Sequence, residues 1–105
     1  MNDDHYQVRV LRPAERDYFQ IIDYLIEKSP NAAEKLEEKF IKTLERLKRS
    51  PFFGKIPNDE ELHVEGYRMA ILDKYLVFYI VKDAIVEVHR IIHGARDYLK
   101  ILRGY

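Results

Sequence analysis

The chain has 105 residues, 47% apolar and 34% charged, which fits one small folded domain over residues 1–105 and leaves little room for a second. Lys and Arg together number 18, as do Asp and Glu, so the chain lacks the basic excess of a protein whose main task is holding a phosphate backbone. Cysteine is absent, which removes disulfides, thiolate nucleophiles and sulfur-ligated metals.

In chain order, Tyr6 to Leu11 alternates Tyr6, Val8 and Val10 against Gln7, Arg9 and Leu11, the pattern of a short strand. Pro13 suits a first helical turn, where its missing N–H costs nothing. Ala14, Tyr18, Ile21, Ile22, Leu25 and Ile26 then recur at helical spacing up to about Lys28. After Ser29-Pro30, Asn31 followed by Glu34 forms a capping-box pair that starts a second helix. Its apolar stripe is Ala33, Leu36, Phe40, Leu44 and Leu47, and Pro51 ends it. Arg46, Lys48 and Arg49 read as the solvated basic end of that helix.

Phe52 to Glu65 reads as a loop with breakers at Gly54 and Pro57 and carboxylates at Asp59, Glu60 and Glu61. Strands follow at Tyr67–Leu72, Tyr75–Val81 and Ile85–His93, with turns at Asp73-Lys74 and Lys82-Asp83. Gly94 breaks the last strand, and Ala95 to Leu102 suits a short final helix. The expected architecture is α+β: an N-terminal strand, a helical hairpin packed on a curved, mainly antiparallel four-stranded sheet, and a short C-terminal helix. The sheet face away from the hairpin is expected to carry Arg68, Tyr75, Tyr79, Glu87, His89 and His93.

Two histidines and a glutamate on one strand suit proton transfer near neutral pH, and the plainer reading is a set of hydrogen-bonded strand residues. They do not converge on a tetrahedral metal centre, so neither a metal nor a cofactor is expected. Arg68 and Arg90 can grip phosphate or an acidic partner, or pair with Glu87 or Asp97. Tyr75 and Tyr79 can stack bases or simply cover the sheet. Leu44, Leu47, Phe52 and Phe53 leave apolar surface at the hairpin's end for a partner.

The stretch Arg90-Ile91-Ile92-His93-Gly94-Ala95-Arg96-Asp97 resembles the closing strand and HGARD-type turn of the ParE branch of the RelE/ParE toxins. Gly66-Tyr67-Arg68 followed by Tyr75-Leu76-Val77-Phe78-Tyr79 is similar to the same family's central hairpin, and Pro51 and Gly54 fall where its members carry a proline and a glycine. The likeness spans residues 6 to 102. It implies the toxin of a bacterial type II toxin–antitoxin (plasmid-stabilisation) system, held by a cognate antitoxin in a hetero-oligomer and acting by binding DNA gyrase. The alternatives it implies are a ribosome-dependent mRNA endoribonuclease, or an inactive member that only binds its antitoxin.

For a nuclease, the resemblance places Arg68 on phosphate and His93 or Tyr98 near the acid position, and the chemistry of the strand residues offers Glu87 and His89 as a further proton-transfer pair. Glu60, Glu61, His63 and Glu65 stand where RelE-like enzymes carry paired lysines, and carboxylates there repel an RNA backbone. The expectation therefore leans away from an enzyme. Arg90, Arg96, Tyr75 and Tyr79, with the four apolar residues at the hairpin's end, are then the expected contacts for target or antitoxin. No run approaches the ~20 apolar residues of a membrane span. The N-terminus, with Asp3 and Asp4, lacks the basic and apolar regions of a signal peptide, so a cytoplasmic protein is expected.

Overall fold

Ser29 both closes one helix and opens the next. Its N–H donates to the Leu25 carbonyl, and its hydroxyl accepts from the Ala32 N–H at 3.4 Å, so a single residue joins α1 (Arg12–Lys28) to α2 (Pro30–Arg49). Pro30 occupies the first helical turn, and Asn31 lies inside the helix rather than capping it as its spacing to Glu34 had suggested. The two helices meet through stacked rings of Tyr18 and Phe40, 4.4 Å apart. The computed structural model describes residues 6–104, so Asp3 and Asp4 lie outside the described residues.

The remaining elements are β1 (Gln7–Val10), α3 (Glu60–Glu65), β2 (Tyr67–Leu72), β3 (Tyr75–Lys82), β4 (Ile85–His93) and α4 (Tyr98–Arg103). The sheet runs β1-β4-β3-β2, with β1 parallel to β4 and the other pairs antiparallel. This is the α+β arrangement that the sequence pattern indicates. Asp73 and Asp83 take the left-handed backbone conformation that short turns require and aspartate tolerates. The second turn is Asp83-Ala84, because Lys82 still pairs with Ile85.

One segment departs from expectation. Residues 60–65 are helical, because the Asp59 side chain accepts the Leu62 N–H at 3.0 Å and Gly66, with φ of 92°, closes the turn. Leu62 is fully buried. Arg103 of α4 reaches back to Asp59 at 2.9 Å and Glu61 at 2.8 Å, tying the two short helices together.

The main core lies between the hairpin and one sheet face. Ala14, Leu36, Phe40 and Leu47 pack against Ala70, Leu72, Val77, Tyr79, Val86, Val88 and Ile91. Val86 and Val88 face the hairpin, and so does Ile91, an odd number of residues later. A β-bulge causes this: Phe78 pairs with Arg90 and Tyr79 with Val88, which leaves His89 without a partner on β3. The bulge is clamped from α1. Asp17 accepts two bonds from Arg90, at 2.7 and 2.9 Å, and a third from the Ile91 N–H at 2.9 Å. The sequence had offered Glu87 or Asp97 as the partner of Arg90, and the helix supplies Asp17 instead.

Asp17→Ala removes all three acceptors and leaves Arg90 without its carboxylate. Arg90 is 32% exposed, so the loss should fall below that of a fully buried pair. We expect about 2–4 kcal/mol in urea denaturation, with Asp17→Asn retaining part of it.

Candidate functional site

Because of the bulge, the residues expected to share the open sheet face are split between two faces. Glu87 and His89 lie away from the hairpin, on the side covered by α4. Tyr79 is buried in the main core, and Tyr75 packs at its margin. Arg68 and His93 pair in register with Tyr79 and Tyr75 and so lie on that same hairpin side. Placing all six on one face was therefore incorrect for Arg68, Tyr75, Tyr79 and His93. Plain alternation puts His89 and His93 together, and one extra residue in β4 reverses everything after it.

On the α4 side a hydrogen-bonded chain crosses three strands. The Tyr67 hydroxyl lies 3.2 Å from His89 Nδ1, and His89 Nε2 lies 3.2 Å from Glu87 Oε1. An ionised carboxylate has no proton to donate, so Nε2 carries the proton of a neutral His89 and Nδ1 accepts from Tyr67. Lys82 approaches the same Glu87 oxygen at 3.5 Å. The hydrogen bond from His89 holds the Glu87 carboxyl below its usual range, with Lys82 acting in the same direction. Burial, helped by Glu65, raises the Tyr67 hydroxyl. Tyr98 stands on this side too, its ring 5.1 Å from that of buried Phe78. Such a chain can pass a proton between carboxylate and phenol. Tyr67 was missed from the sequence because it reaches His89 only across β3.

At the β2 edge the segment after α2 is strapped down. Arg68 Nη1 donates to the carbonyls of Phe52 and Gly54, both at 2.9 Å, and its guanidinium lies 5.1 Å from the Phe52 ring. The Tyr79 hydroxyl accepts the Gly54 N–H at 2.8 Å. Burial raises the Tyr79 hydroxyl, opposed by that N–H and by Arg68 and Arg46. Gly54 is required here, since a Cβ would lie 2.5 Å from the Tyr79 oxygen and 2.8 Å from the Met69 carbonyl. Tyr79 is therefore a core post, unavailable for stacking. A cleft of 270 Å³ opens beside the strap, lined by Phe52, Ile56, His63, Gly66, Tyr67, Arg68 and Val81.

Of the four apolar residues expected to form a docking surface, Leu47 is fully buried and Leu44 and Phe53 pack against the core. Leu47 lies on the inward stripe of α2 and cannot meet a partner. Phe52 remains 55% exposed. Another apolar surface lies at the other end of the hairpin, where Phe19 is 57% and Ile26 51% exposed beside a groove of 560 Å³.

The residues of the closing motif gather at the far end of β4. His93 Nδ1 accepts the Ala95 N–H at 3.0 Å, and its ring meets Tyr75 edge-on at 5.4 Å. Burial raises the Tyr75 hydroxyl. Arg90, held by Asp17, and exposed Arg96 line a cleft of 100 Å³ with them. Arg68 and His93 thus stand on the hairpin side near opposite ends of the sheet, and Glu87, His89 and Tyr98 on the other side. Among the described residues no group of three His, Asp or Glu is placed to hold a metal ion, and no helix is long and apolar enough to cross a membrane.

This architecture occurs in solved structures of toxin–antitoxin systems. The structure described as the chromosomal ParDE TA system from P. aeruginosa aligns with a TM-score of 0.67 at 21% identity, covering 87% of this chain and 98% of that one. The toxin–antitoxin complex RelBE2 from Mycobacterium tuberculosis aligns with a TM-score of 0.61 at 25% identity, covering 85% and 98%. No curated protein sequence matches significantly. The family model of the ParE toxin of the type II toxin–antitoxin system, parDE, matches residues 8–98. The chain belongs to that family.

Tyr79→Phe should cost about 1–3 kcal/mol, because the buried Gly54 N–H loses its acceptor. Thermal unfolding of the two proteins checks this. Glu87 has a lowered pKa in the folded state, so its contribution is full above the unfolded value of about 4.3 and is lost as pH falls through the lower folded value. The stability difference between wild type and Glu87→Gln should therefore shrink as pH falls through that acid window.

Proposed function

We propose that this toxin acts by stoichiometric binding to DNA gyrase and is held inactive by a cognate antitoxin. The observation that carries this reading is the dispersal of the nuclease candidates. Arg68 spends one guanidinium nitrogen on two loop carbonyls, His93 spends Nδ1 on its own turn, and neither shares a face with Glu87 and His89. A cleaving site needs its phosphate-binding cation and its acid and base around one scissile bond. The exposed carboxylates Glu60 and Glu65 on α3 and the zero net charge support the same reading.

The two solved structures named above are described as toxin–antitoxin systems or complexes, which supports an antitoxin as partner. The groove beside Phe19 and Ile26 suits an amphipathic helix from that antitoxin. A ribonuclease is the second reading, favoured by the Tyr67–His89–Glu87 chain.

Purified protein should inhibit supercoiling by gyrase in proportion to its concentration and without turnover, and should leave translation in a cell-free extract intact. Unaffected supercoiling at excess toxin, with messenger cleavage at substoichiometric amounts that His89→Gln lowers by about 10²–10⁴-fold, would overturn this choice for the second reading. Phe19→Glu should weaken antitoxin co-purification, whichever target the toxin has.

A further inference from the structure

The chain's neutrality hides a local charge imbalance. Lys42, Arg46 and Arg49 stand four and three residues apart on α2, one exposed helical face about 10 Å long. Among the described residues none of them has a carboxylate partner, and neither does exposed Lys55 just across the strap. Arg46 is held in place by its guanidinium lying 3.8 Å over the Phe53 ring. It forms the shared wall of two depressions. One, of 390 Å³, lies along α2 beside Ile41, and the other, of 250 Å³, lies along β2 beside Ile71.

Both isoleucines are exposed, Ile41 by 54% and Ile71 by 69%. Beyond Lys55 the β2 edge is also open. Met69 exchanges both main-chain bonds with Lys55, at 2.8 and 2.9 Å, so its N–H and C=O point outward. Two residues on, Ile71 points its main-chain groups the same way, and nothing in the described structure meets them.

The geometry points to a docking surface for an acidic, partly apolar peptide segment of a partner protein, laid along the β2 edge at Ile71 and across Arg46. Carboxylates would meet Lys42, Arg46, Arg49 and Lys55, apolar side chains would cover Ile41 and Ile71, and the Ile71 main chain would pair with the segment's backbone. A nucleic-acid backbone fits less well. The isoleucines offer phosphates nothing, and the Asp73 and Glu45 carboxylates border the same surface. This surface is separate from the groove beside Phe19, and the inference does not depend on the toxin's target.

The test uses the full chain and three labelled probes: a 15-residue peptide with Glu at alternate positions and three leucines between them, a 20-nucleotide single-stranded RNA, and a 20-base-pair DNA duplex. The peptide should bind in fluorescence anisotropy, more weakly as salt rises. Arg46→Glu combined with Arg49→Glu should weaken it at least tenfold, and Ile71→Ser severalfold. Lys35→Glu, elsewhere on α2, should leave it unchanged. All these side chains are exposed, that of Arg46 over the Phe53 ring, so unchanged melting temperatures identify variants that have kept the fold. Lys42→Glu serves in place of Arg46→Glu if that variant melts early. Peptide binding indifferent to the charge reversals would overturn the proposal. So would RNA or DNA bound more tightly than peptide through the same basic residues and without regard to Ile71.

Discussion

The carboxylate of Asp17 accepts three hydrogen bonds at the one point where β4 falls out of step with β3. Beyond Val88 the outer edge of β4 has no β1 partner, and there the Ile91 N–H is taken up by a side chain from the covering helix. The same carboxylate fixes Arg90 through two nitrogens in a bidentate pair. The helix–sheet contact and the strand irregularity are therefore one feature: α1 sets where β4 changes phase, and the bulge fixes which side chains α1 covers.

The functional surfaces follow from that phase change. Before the bulge, Val86 and Val88 enter the main core while Glu87 lies on the opposite sheet face. After it, Ile91 enters the core and His93 follows it to the hairpin side, where it meets Tyr75. The extra residue, His89, joins Glu87 and Tyr67 in a chain of polar groups. A regular strand would bring His89 and His93 onto one face, and the set would then look much more like an acid–base site.

The segment between α2 and β2 has a different anchor. It has little regular structure of its own before α3, and it is held by Arg68 and Tyr79 on the sheet and by Arg103 on α4. These bonds to Phe52, Gly54 and Asp59 come from residues far along the chain, so the segment takes its shape only once the sheet exists. The resulting edge carries Arg46 stacked on Phe53, with a basic helix face on one side and an open strand on the other.

The sequence by itself determined the elements, because the signals that set them are local. Alternation marks strands, three-and-four spacing marks helices, and proline, glycine and aspartate mark the breaks. Seven of the eight elements were legible in this way, along with the order of the strands in the chain and the family resemblance in Arg90–Asp97. The short helix at 60–65 was legible in part, since Asp59 as cap and Gly66 as stop were present, but its single inward residue, Leu62, shows no periodicity. Tertiary structure alone decided which face of each strand is covered. Both faces of β3 are apolar, with Tyr75, Val77 and Tyr79 opposing Leu76, Phe78 and Ile80, so no pattern could say which one meets the hairpin. It also decided the bulge, which adds one residue without altering the composition of β4. The pairings of Asp17 with Arg90, across 73 positions, and of Tyr67 with His89, across 22, exist only because the sheet and helix bring distant residues within hydrogen-bond reach.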